Sequence, residues 1–331
     1  MKKLLSISAV LLSTLAFGQQ EFQTTQYQQN MYLLNPAAAG IKDYVDVNLG
    51  FRQQWMGFEG APKTYFISAN SMLGKKSIGG NEFFSLRISD PSVTLKDANS
   101  APVEIDRKVR HALGGYVMVD EFGPFRANIG GLSYAIHLPV SKKTTVSLGL
   151  QAKIRNTIFD QDKVRFAGKD QNNDYQNFIN GNNNNTTFFD AGAGLFLYHS
   201  KFFAGYSLQN MLNNDLSFGT STTESTLNAH HYLTAGYRFE LSEKIGFTPS
   251  ALLRMTSGSP MSLDLNARID VNNRFWGGLT VRPQDAVAVM AGFGIAKNLN
   301  IGYSYDITTS KINERGNGTH EFVLNIMLDK N

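Results

Sequence analysis

The stretch FRQQWMGFEGAPKTYF at residues 51–66 joins two runs in which apolar and polar residues alternate. The first run covers 45–55, a Gly-rich corner follows it, and the second run covers 63–73. Because successive side chains of a strand point to opposite faces, such alternation predicts a strand with one apolar face. Arg52 lies on the polar face of the first run. The stretch therefore predicts two amphipathic strands joined by a tight corner.

The same alternation of apolar and polar residues continues through nearly the whole chain after residue 45. Fourteen runs of this kind lie at 45–55, 63–73, 111–119, 125–138, 144–158, 187–198, 201–212, 230–241, 244–256, 261–271, 274–282, 286–296, 299–307 and 319–328. A shorter candidate at 83–89 lies in a polar insertion and is interpreted as a loop hairpin or a strand extension. Pro249 lies in the middle of a run and lacks a backbone N–H, so we expect a bulge there.

Charged residues occupy one face of these runs. Away from the ends of the runs, where Lys63 and Arg126 lie, the apolar rows carry no Asp, Glu, Lys or Arg. The opposite rows carry charges of both signs, namely Arg52, Lys153, Arg155, Arg238, Arg254, Arg268, Arg282, Asp46, Asp190, Glu240, Asp264, Asp270, Asp306 and Glu321. A Lys or Arg facing lipid at mid-depth costs about 2–4 kcal/mol, so a lipid-facing row must be free of charge. A soluble sandwich also keeps its core face free of charge, but the number of runs and their length of about ten residues favour a membrane barrel.

The overall composition excludes several other classes of protein. The chain has no cysteine, so disulfides, thiol catalysis and Cys-ligated metals are absent. An exported chain of this size without disulfides needs a large core or a closed sheet. The formal net charge of +4 is spread without a basic tract, so we expect no nucleic-acid partner. Beyond the amino-terminal region, no run of about 18 apolar residues predicts a transmembrane helix.

The amino-terminal residues divide into two parts. Residues 1–18, MKKLLSISAVLLSTLAFG, combine a basic start, an apolar stretch and small residues before the expected cleavage site, which predicts a secretory signal peptide. Residues 19–44 are rich in Gln and Asn and contain Asn35-Pro36 followed by small residues. This segment is interpreted as a plug of the lumen or a segment along the periplasmic rim, and a disordered leader is the alternative. The barrel is expected to cover 45–331.

The lengths of the connections predict the orientation of the barrel. If the first strand runs outward from the periplasm, the inner turns are very short, whereas the outer connections 159–186, 213–229 and 308–318 are longer. Short periplasmic turns and long extracellular loops are the rule for outer-membrane barrels. The connection 74–110 is an exception on the inner side. We therefore expect an all-β, transmembrane, antiparallel up-and-down β-barrel of about 14 strands in the outer membrane.

Several short motifs suggest catalysis or ligand binding but do not fit it. GFGIAK at 292–297 lacks the third glycine of a dinucleotide loop and is followed by another strand. DQNNDYQNFING at 170–181 lacks the Gly and the final Glu of an EF-hand loop. The charged residues Asp264, Asp270, Glu240 and Arg268 could imitate a hydrolase site, but pairing across a lumen is the simpler interpretation. We expect no enzyme activity, no cofactor and no metal.

Four blocks of the sequence point to a known family. The blocks QYQQNMYLLNPAAAG, FRQQWMGFEGAPKTYFISAN, VDEFGPFRANIGGLSYAIHL and GYSYDIT…GTHEFVLNIML resemble the PorP/SprF family of type IX secretion system outer-membrane proteins. The likeness extends from about residue 20 to 328. The residues that match the family pattern are Asn35, Pro36, Gly40, Arg52, Gln54, Trp55, Gly57, Phe58, Gly60, Pro62, Thr64, Asp120, Gly123, Tyr305, Asp306, His320 and Glu321.

The resemblance implies a non-enzymatic barrel that works with the type IX machinery. Members of the family often serve one large secreted adhesin by receiving its C-terminal targeting domain, and others associate with the periplasmic ring of the translocon. Outer-membrane lipid would surround the barrel. We hypothesise that the corner after Arg52 folds over the mouth and that Arg52 pairs with carboxylates in the lumen, while Trp55 and Phe58 lie at the outer interface. A general diffusion pore is the alternative function.

Overall fold

The computed structural model describes residues 22–42, 44–74, 109–141, 143–163, 185–216, 225–310 and 317–328. The expected signal peptide at 1–18, the strand candidate at 83–89 and the rejected EF-hand stretch at 170–181 lie outside these residues. Among the described residues, no helix is both long enough and apolar enough to cross a bilayer.

Within the described residues, fourteen antiparallel strands close into a barrel. The barrel strands are β1 (Val45–Gln53), β2 (Lys63–Met72), β3 (Arg110–Phe122), β4 (Phe125–Pro139), β5 (Thr144–Phe159), β6 (Asn185–His199), β7 (Phe202–Gln209), β10 (His230–Tyr237) continued by β11 (Phe239–Ser242), β12 (Ile245–Thr256), β13 (Ser262–Val271), β14 (Phe275–Arg282), β15 (Ala286–Ala296), β16 (Leu299–Thr308) and β17 (Thr319–Leu328). A small hairpin of β8 (Asp215–Leu216) and β9 (Ser225–Thr226) lies between β7 and β10. Three 3₁₀ turns cover Met31–Leu33, Pro36–Ala38 and Gln161–Lys163.

The sheet closes because every barrel strand has a partner on both sides. The first strand, β1, pairs with the last, β17, and β10 pairs with both β7 and β12. Strand order around the ring follows chain order, which is the up-and-down topology that the sequence predicts. Closure satisfies the backbone polar groups within the protein, as a bilayer requires. The predicted fold is therefore confirmed.

One ladder of the barrel is interrupted beside Pro249. Strand β10 pairs with β12 as far as Gly236 opposite Ser250, and β11 resumes the pairing at Phe239 opposite Phe247. On its other side, Pro249 keeps its register with Ala267 of β13. No bulge forms at Pro249, so that expectation is wrong: the register is kept on both sides, and the missing N–H is accompanied only by a gap in the pairing with the facing strand. The register shift of this ladder lies further along, between Glu240 and Ser242.

The two faces of the barrel wall differ in polarity as the alternation predicts. Leu132 and Phe189 on the outward face are each 72% exposed, and outward neighbours are equally apolar. The inward face carries buried charged and polar side chains, among them Arg52, Asp264 and Glu321. Exposed apolar side chains are stable facing lipid, so the outward rows form the membrane-facing band.

The two ends of the barrel differ in their connections. At one end, strands are joined by turns of two or three residues at 200–201, 243–244, 272–274 and 297–298. That end also receives the long connection between β2 and β3. At the other end, strands are joined by longer connections such as 210–229 and 309–318. By the usual rule for such barrels, the end where β1 begins faces the periplasm and is called the inner end, and the end where β1 finishes is the outer end.

Candidate functional site

The lumen of the barrel is occupied by the chain itself. The segment from Phe22 to Lys42, called here the threaded segment, precedes β1 and lies inside the ring of strands. Its side chains are largely buried, and Tyr27 and Ala37 are fully enclosed. Two 3₁₀ turns shape its second half. Hydrogen bonds to strands on several sides of the ring hold it in place from the outer end to the inner end.

The amino end of the threaded segment is bound to carboxylates near the outer end. The Thr24 hydroxyl donates to Glu321 Oε1 at 2.7 Å. The Thr25 backbone N–H donates to Glu321 Oε2 at 2.9 Å, and its hydroxyl donates to Asp306 Oδ2 at 2.7 Å. Asp306 lies near the outer end of β16 and Glu321 near the outer end of β17. These contacts place the amino end of the segment at the outer end of the lumen.

The middle of the threaded segment contacts distant parts of the wall. The Tyr27 and Ser250 hydroxyls are 2.5 Å apart, which links the segment to β12. Asn30 Nδ2 donates to the Ser68 hydroxyl of β2 at 2.8 Å. The Tyr32 hydroxyl lies 3.0 Å from that of Ser133 in β4. Partners on separate sides of the ring hold the segment across the lumen rather than against one wall.

The turn after Asn35 packs against two glycines of the barrel wall. Gly149 of β5 and Gly194 of β6 face each other across the ladder. A Cβ on Gly149 would lie 2.3 Å from the Ala37 backbone nitrogen, and a Cβ on Gly194 would lie 2.0 Å from Asn35 Oδ1. Since no side chain larger than hydrogen fits at either position, the two glycines permit the backbone of the turn to approach the wall.

The side chain of Asn35 connects this turn to the wall. Asn35 Oδ1 accepts a hydrogen bond from the Ala37 N–H at 2.9 Å and so caps the 3₁₀ turn that Pro36 begins. Its Nδ2 donates to the carbonyl oxygens of Leu195 at 3.0 Å and Tyr206 at 3.2 Å, on β6 and β7. One amide therefore both shapes the turn and attaches it, which gives Asn35-Pro36 a structural role.

The carboxyl end of the threaded segment lies at the inner end. His137 Nε2 is 2.8 Å from the Ala39 carbonyl oxygen, and the Gly40 N–H donates to Asn70 Oδ1 at 2.9 Å. Gly40 has a φ of +72°, which favours glycine. Lys42 Nζ then pairs with Asp46 at 2.8 Å, where β1 begins. The segment thus runs from the outer end to the inner end before the first strand starts.

This direction predicts that residues just before Thr24 are reachable from outside the cell. The chain has no natural cysteine, so single cysteines report position cleanly. We expect Gln23→Cys to react with a membrane-impermeant maleimide on intact cells, as Ser257→Cys in an outer connection does. Lys297→Cys, in an inner turn, should react only after the outer membrane is permeabilised. Labelling of Gln23→Cys only after permeabilisation would reverse the direction assigned to the segment.

Arg52 is the centre of a buried ion-pair cluster at the outer end. Its guanidinium donates to Glu321 Oε2 at 2.8 Å and to Asp306 Oδ2 at 2.9 Å, and both carboxylates also hold Thr25. The side chains of Arg52, Asp306 and Glu321 are 2%, 2% and 0% exposed. Because a carboxylate such as Glu321 buried without a cation would be strongly destabilising, Arg52 stabilises the pair of carboxylates that holds the amino end of the segment.

The cluster extends along the wall into a longer set of alternating charges, called here the outer charged belt. Its members are Arg52, Glu321, Asp306, Arg282, Asp264 and Arg254. Arg282 pairs with three carboxylates, Asp264 at 3.0 Å, Asp285 at 3.2 Å and Asp306 at 3.6 Å. Arg254 pairs with the other oxygen of Asp264 at 2.8 Å. Three arginines face the three buried carboxylates of the belt, and the partly exposed Asp285 adds a fourth carboxylate beside Arg282. The buried charges therefore stabilise one another away from bulk water.

A second charged group lies nearer the inner end. Arg268 pairs with Asp270 at 2.7 Å, and Arg238 pairs with the same carboxylate at 3.3 Å. The Arg268 guanidinium also lies 4.5 Å from the centre of the Trp276 ring. In the part of the chain that the structure describes, no group of three or more His, Asp or Glu side chains is placed to hold a metal ion. The charges of this group thus form ion pairs with one another.

The predicted corner after β1 is built as a tight outer rim. The Gln54 N–H donates to the Pro62 carbonyl at 2.9 Å, which closes the corner. Gly57 and Gly60 have φ values of +96° and +75°. The Gly60 carbonyl accepts from the Gly123 N–H at 2.9 Å, which joins this corner to the β3–β4 turn. Besides its own closing hydrogen bond, the corner is thus hydrogen-bonded through its backbone to neighbouring connections at the outer end.

The remaining residues singled out from the sequence lie in separate places. Trp55 has a φ of +45°, and its backbone N–H donates to the Thr319 hydroxyl. Phe58 is 46% exposed on the rim. Asp120 accepts from the Thr64 hydroxyl at 2.6 Å on the lumen side. His320 lies on the outward face, next to the Tyr303 hydroxyl at 2.8 Å. His320 and its neighbour in sequence, Glu321, therefore point to opposite faces.

Some residues that hold the threaded segment were not singled out from the sequence as site residues. These residues are Thr24, Thr25, Tyr27, Tyr32, His137, Gly149, Gly194 and Ser250. The signal available in the sequence was weak. Gly149 and Gly194 lie on polar rows of their strands. A glycine in a strand indicates that another backbone approaches closely, but it does not indicate which segment approaches.

Comparison with known proteins decides which barrel this is. A sequence profile described as "Type IX secretion system membrane protein PorP/SprF" matches residues 16–326. The chain belongs to the PorP/SprF family. The match includes the threaded segment, the corner and the outer charged belt, so the resemblance noted from the four sequence blocks is confirmed. This PorP/SprF protein is an outer-membrane barrel of the type IX secretion system family.

Solved structures of outer-membrane proteins are similar to this chain at low sequence identity. The Ralstonia pickettii toluene transporter TbuX has a TM-score of 0.50 and 9% identity, with 90% of this chain and 93% of that chain covered. A Pseudomonas aeruginosa FadL homologue has a TM-score of 0.46 and 10% identity, with 89% and 92% covered. The likeness to TbuX shows that the PorP/SprF chain has the fold of an outer-membrane barrel. No match was found among curated protein sequences.

Proposed function

We propose that this barrel is a non-enzymatic partner of the type IX machinery that supports secretion or surface attachment of an exported protein, such as a large adhesin, by binding its C-terminal targeting domain. Membership of the PorP/SprF family supports the link to the secretion system. The periplasmic ring of the translocon is the second expected partner, at the inner end. The barrel contributes binding and positioning, and no reaction is assigned to it.

The observation that carries this proposal is the filled lumen. The threaded segment crosses the lumen and is bound to the wall from Thr24 near the outer end to Lys42 at the inner end. Arg52, Arg254 and Arg268 of the wall are also paired with carboxylates of nearby strands or of their own strand. A diffusion pore needs a continuous water path, whereas this interior is occupied by hydrogen-bonded protein. A barrel whose lumen is filled favours a role in binding proteins over a role in passing solutes.

Deletion of the chain tests the proposal directly. Cells lacking the barrel should lose one or a few exported proteins from their surface, measured by surface biotinylation and mass spectrometry. The same proteins should reappear when the full chain is restored. Total uptake of small solutes should stay unchanged. If every exported protein remains on the surface while solute uptake falls, the general diffusion pore would be the better description of the barrel.

A further inference from the structure

A buried lysine on the lumen side of β5 contacts the side-chain amide of an asparagine. Lys153 is 7% exposed, and it forms no ion pair with any carboxylate of the described residues. Its Nζ donates instead to Oδ1 of Asn210, which is fully buried and directly follows β7. Because Oδ1 is bonded to Cγ, this contact holds the lysine nitrogen beside the carbonyl carbon of the amide. A buried ammonium without a counter-charge is unfavourable, so conversion of this nitrogen into a neutral amide would stabilise the site.

Two more buried side chains, a carboxylate and an imidazole, lie at the same place. Asp190 of β6 is directly opposite Lys153 in the ladder. Its Oδ1 accepts the Leu212 N–H at 3.2 Å, whereas its Oδ2 is buried and has no hydrogen-bond partner among the described residues. His230, at the start of β10, has its Nδ1 at 3.2 Å from Asn210 Nδ2. An amine, an amide, a carboxylate and an imidazole therefore meet in one group, called here the Lys153 cluster.

The backbone after β7 fixes the position of Asn210. Its φ of +56° lies in the left-handed region, which asparagine adopts more readily than most residues. The next residue, Met211, donates its N–H to the Ala191 carbonyl oxygen of β6 at 3.1 Å, and the Leu212 N–H is bound to Asp190. Two backbone N–H groups bound to β6 therefore keep the amide facing the lysine of β5.

The Lys153 cluster lies beside a short ladder of the ring. Strand β6 pairs with β5 from Asn185 to His199, but it pairs with β7 only from Ala193 to Tyr198. Toward the outer end, backbone pairing between β6 and β7 stops at this point. A covalent bond between β5 and the residue after β7 would span β6 and reinforce the wall at this level. The chain has no cysteine, so no disulfide can do this.

We propose that Lys153 and Asn210 form an intramolecular isopeptide bond. Beginning with the uncharged amine, Nζ attacks Cγ of Asn210, the Nζ–Cγ bond forms and the Cγ–Nδ2 bond breaks. Nζ loses one proton and the departing nitrogen gains one, so a single ammonia molecule leaves and no oxidant or other reactant is needed. Asp190 Oδ2 lies where it can accept the proton of Nζ, and His230 Nδ1 lies where it can deliver a proton to Nδ2.

The folded barrel itself brings about this reaction. Contact between the two groups replaces a bimolecular encounter, which lowers the barrier of such a step. Burial of the cluster also excludes the water that would compete for Cγ. The bond forms once in each molecule and no substrate is turned over, so the barrel remains non-enzymatic. The inference does not depend on which exported protein the barrel serves.

Peptide mapping of the purified full chain tests the bond. Trypsin does not cleave after a lysine whose amine is acylated. Residues 144–155 should therefore be recovered joined to residues 202–238, with a mass lower than the sum of the two peptides by one ammonia molecule. Lys42, whose Nζ pairs with Asp46, is the internal control and should be cleaved normally. Recovery of a peptide ending at Lys153 and of a separate 202–238 peptide, with no joined form, would overturn the inference.

A cut in the connection between β5 and β6 gives a second readout. A protease site inserted there is cleaved in the folded barrel, and the sample is then boiled in SDS. With the natural side chains the two fragments should stay joined, whereas Lys153→Arg, which keeps the charge without the reactive amine, should release them. Asp190→Asn should form the joined species at least about a hundredfold more slowly. Separate fragments from the natural side chains would contradict the bond, and joining at the natural rate in Asp190→Asn would refute the role of that carboxylate.

Discussion

Removing residues 22–41 should convert a barrel that does not conduct into one that does. In planar bilayers, the purified full chain is expected to show no steady current, whereas the deleted form should show a conductance at least about tenfold above the background. A barrel of 8 strands is filled by its own side chains, and barrels of 16–18 strands leave an aqueous channel. With fourteen strands, this wall is wide enough to need the threaded segment as its filling.

A point variant tests the same prediction without shortening the chain. Gly149→Leu places a side chain where a Cβ alone would lie 2.3 Å from the Ala37 backbone nitrogen and 2.5 Å from the Pro36 carbonyl carbon. The turn must then move away from the wall and open a path for water. Intermittent current is therefore expected even though the segment remains covalently attached.

The matched control for Gly149→Leu is Gly277→Leu. A Cβ at Gly277 meets nothing closer than 3.7 Å, and the position lies on the same outward row as Leu279. This control should show no current in the planar bilayer. A steady current from the unaltered full chain would contradict the prediction, because it would show that water passes the threaded segment.

Arg52→Ala should be the most destabilising single substitution in the outer charged belt. It leaves Asp306 and Glu321 buried without their shared cation, and breaking such a pair costs about 3–5 kcal/mol. Thr25 is held by the same two carboxylates, so the amino end of the threaded segment should loosen as well. We therefore expect a lower urea midpoint for the folded barrel in detergent and less surface retention of the exported partner.

The control for Arg52→Ala is an ion pair on the surface. Arg126 lies 3.7 Å from Glu121 and is 53% exposed, and exposed pairs typically contribute about 0–1 kcal/mol. Arg126→Ala should therefore change the urea midpoint very little. Asp306→Asn combined with Glu321→Gln in the Arg52→Met background removes all three charges and should recover part of the lost stability. Equal midpoints for Arg52→Ala and Arg126→Ala would refute the assigned role.

The local alternation of apolar and polar residues was sufficient to predict the strands of the barrel wall. Alternation with period two depends on the geometry of a single strand, so Val45–Gln53 and Ser262–Val271 could be read as amphipathic strands one at a time. The rows without charge at mid-depth are compatible with lipid on one face, and the number and length of the runs favoured lipid over a soluble sandwich. The bulge expected at Pro249 did not form, because the neighbouring pairs of both ladders hold the register and only the pairing opposite Pro249 is interrupted.

What the sequence determined by itself was therefore a closed sheet with one face for lipid and charges of both signs inside. Only the tertiary structure decided which charges meet, since Arg52 and Glu321 are brought together by the pairing of β1 with β17. It also decided that Thr25 lies at the outer end and Ala39 at the inner end. The physical reason is that an irregular segment has no repeating pattern of its own. Its path is set by the hydrogen-bond partners that the completed ring of strands presents to it.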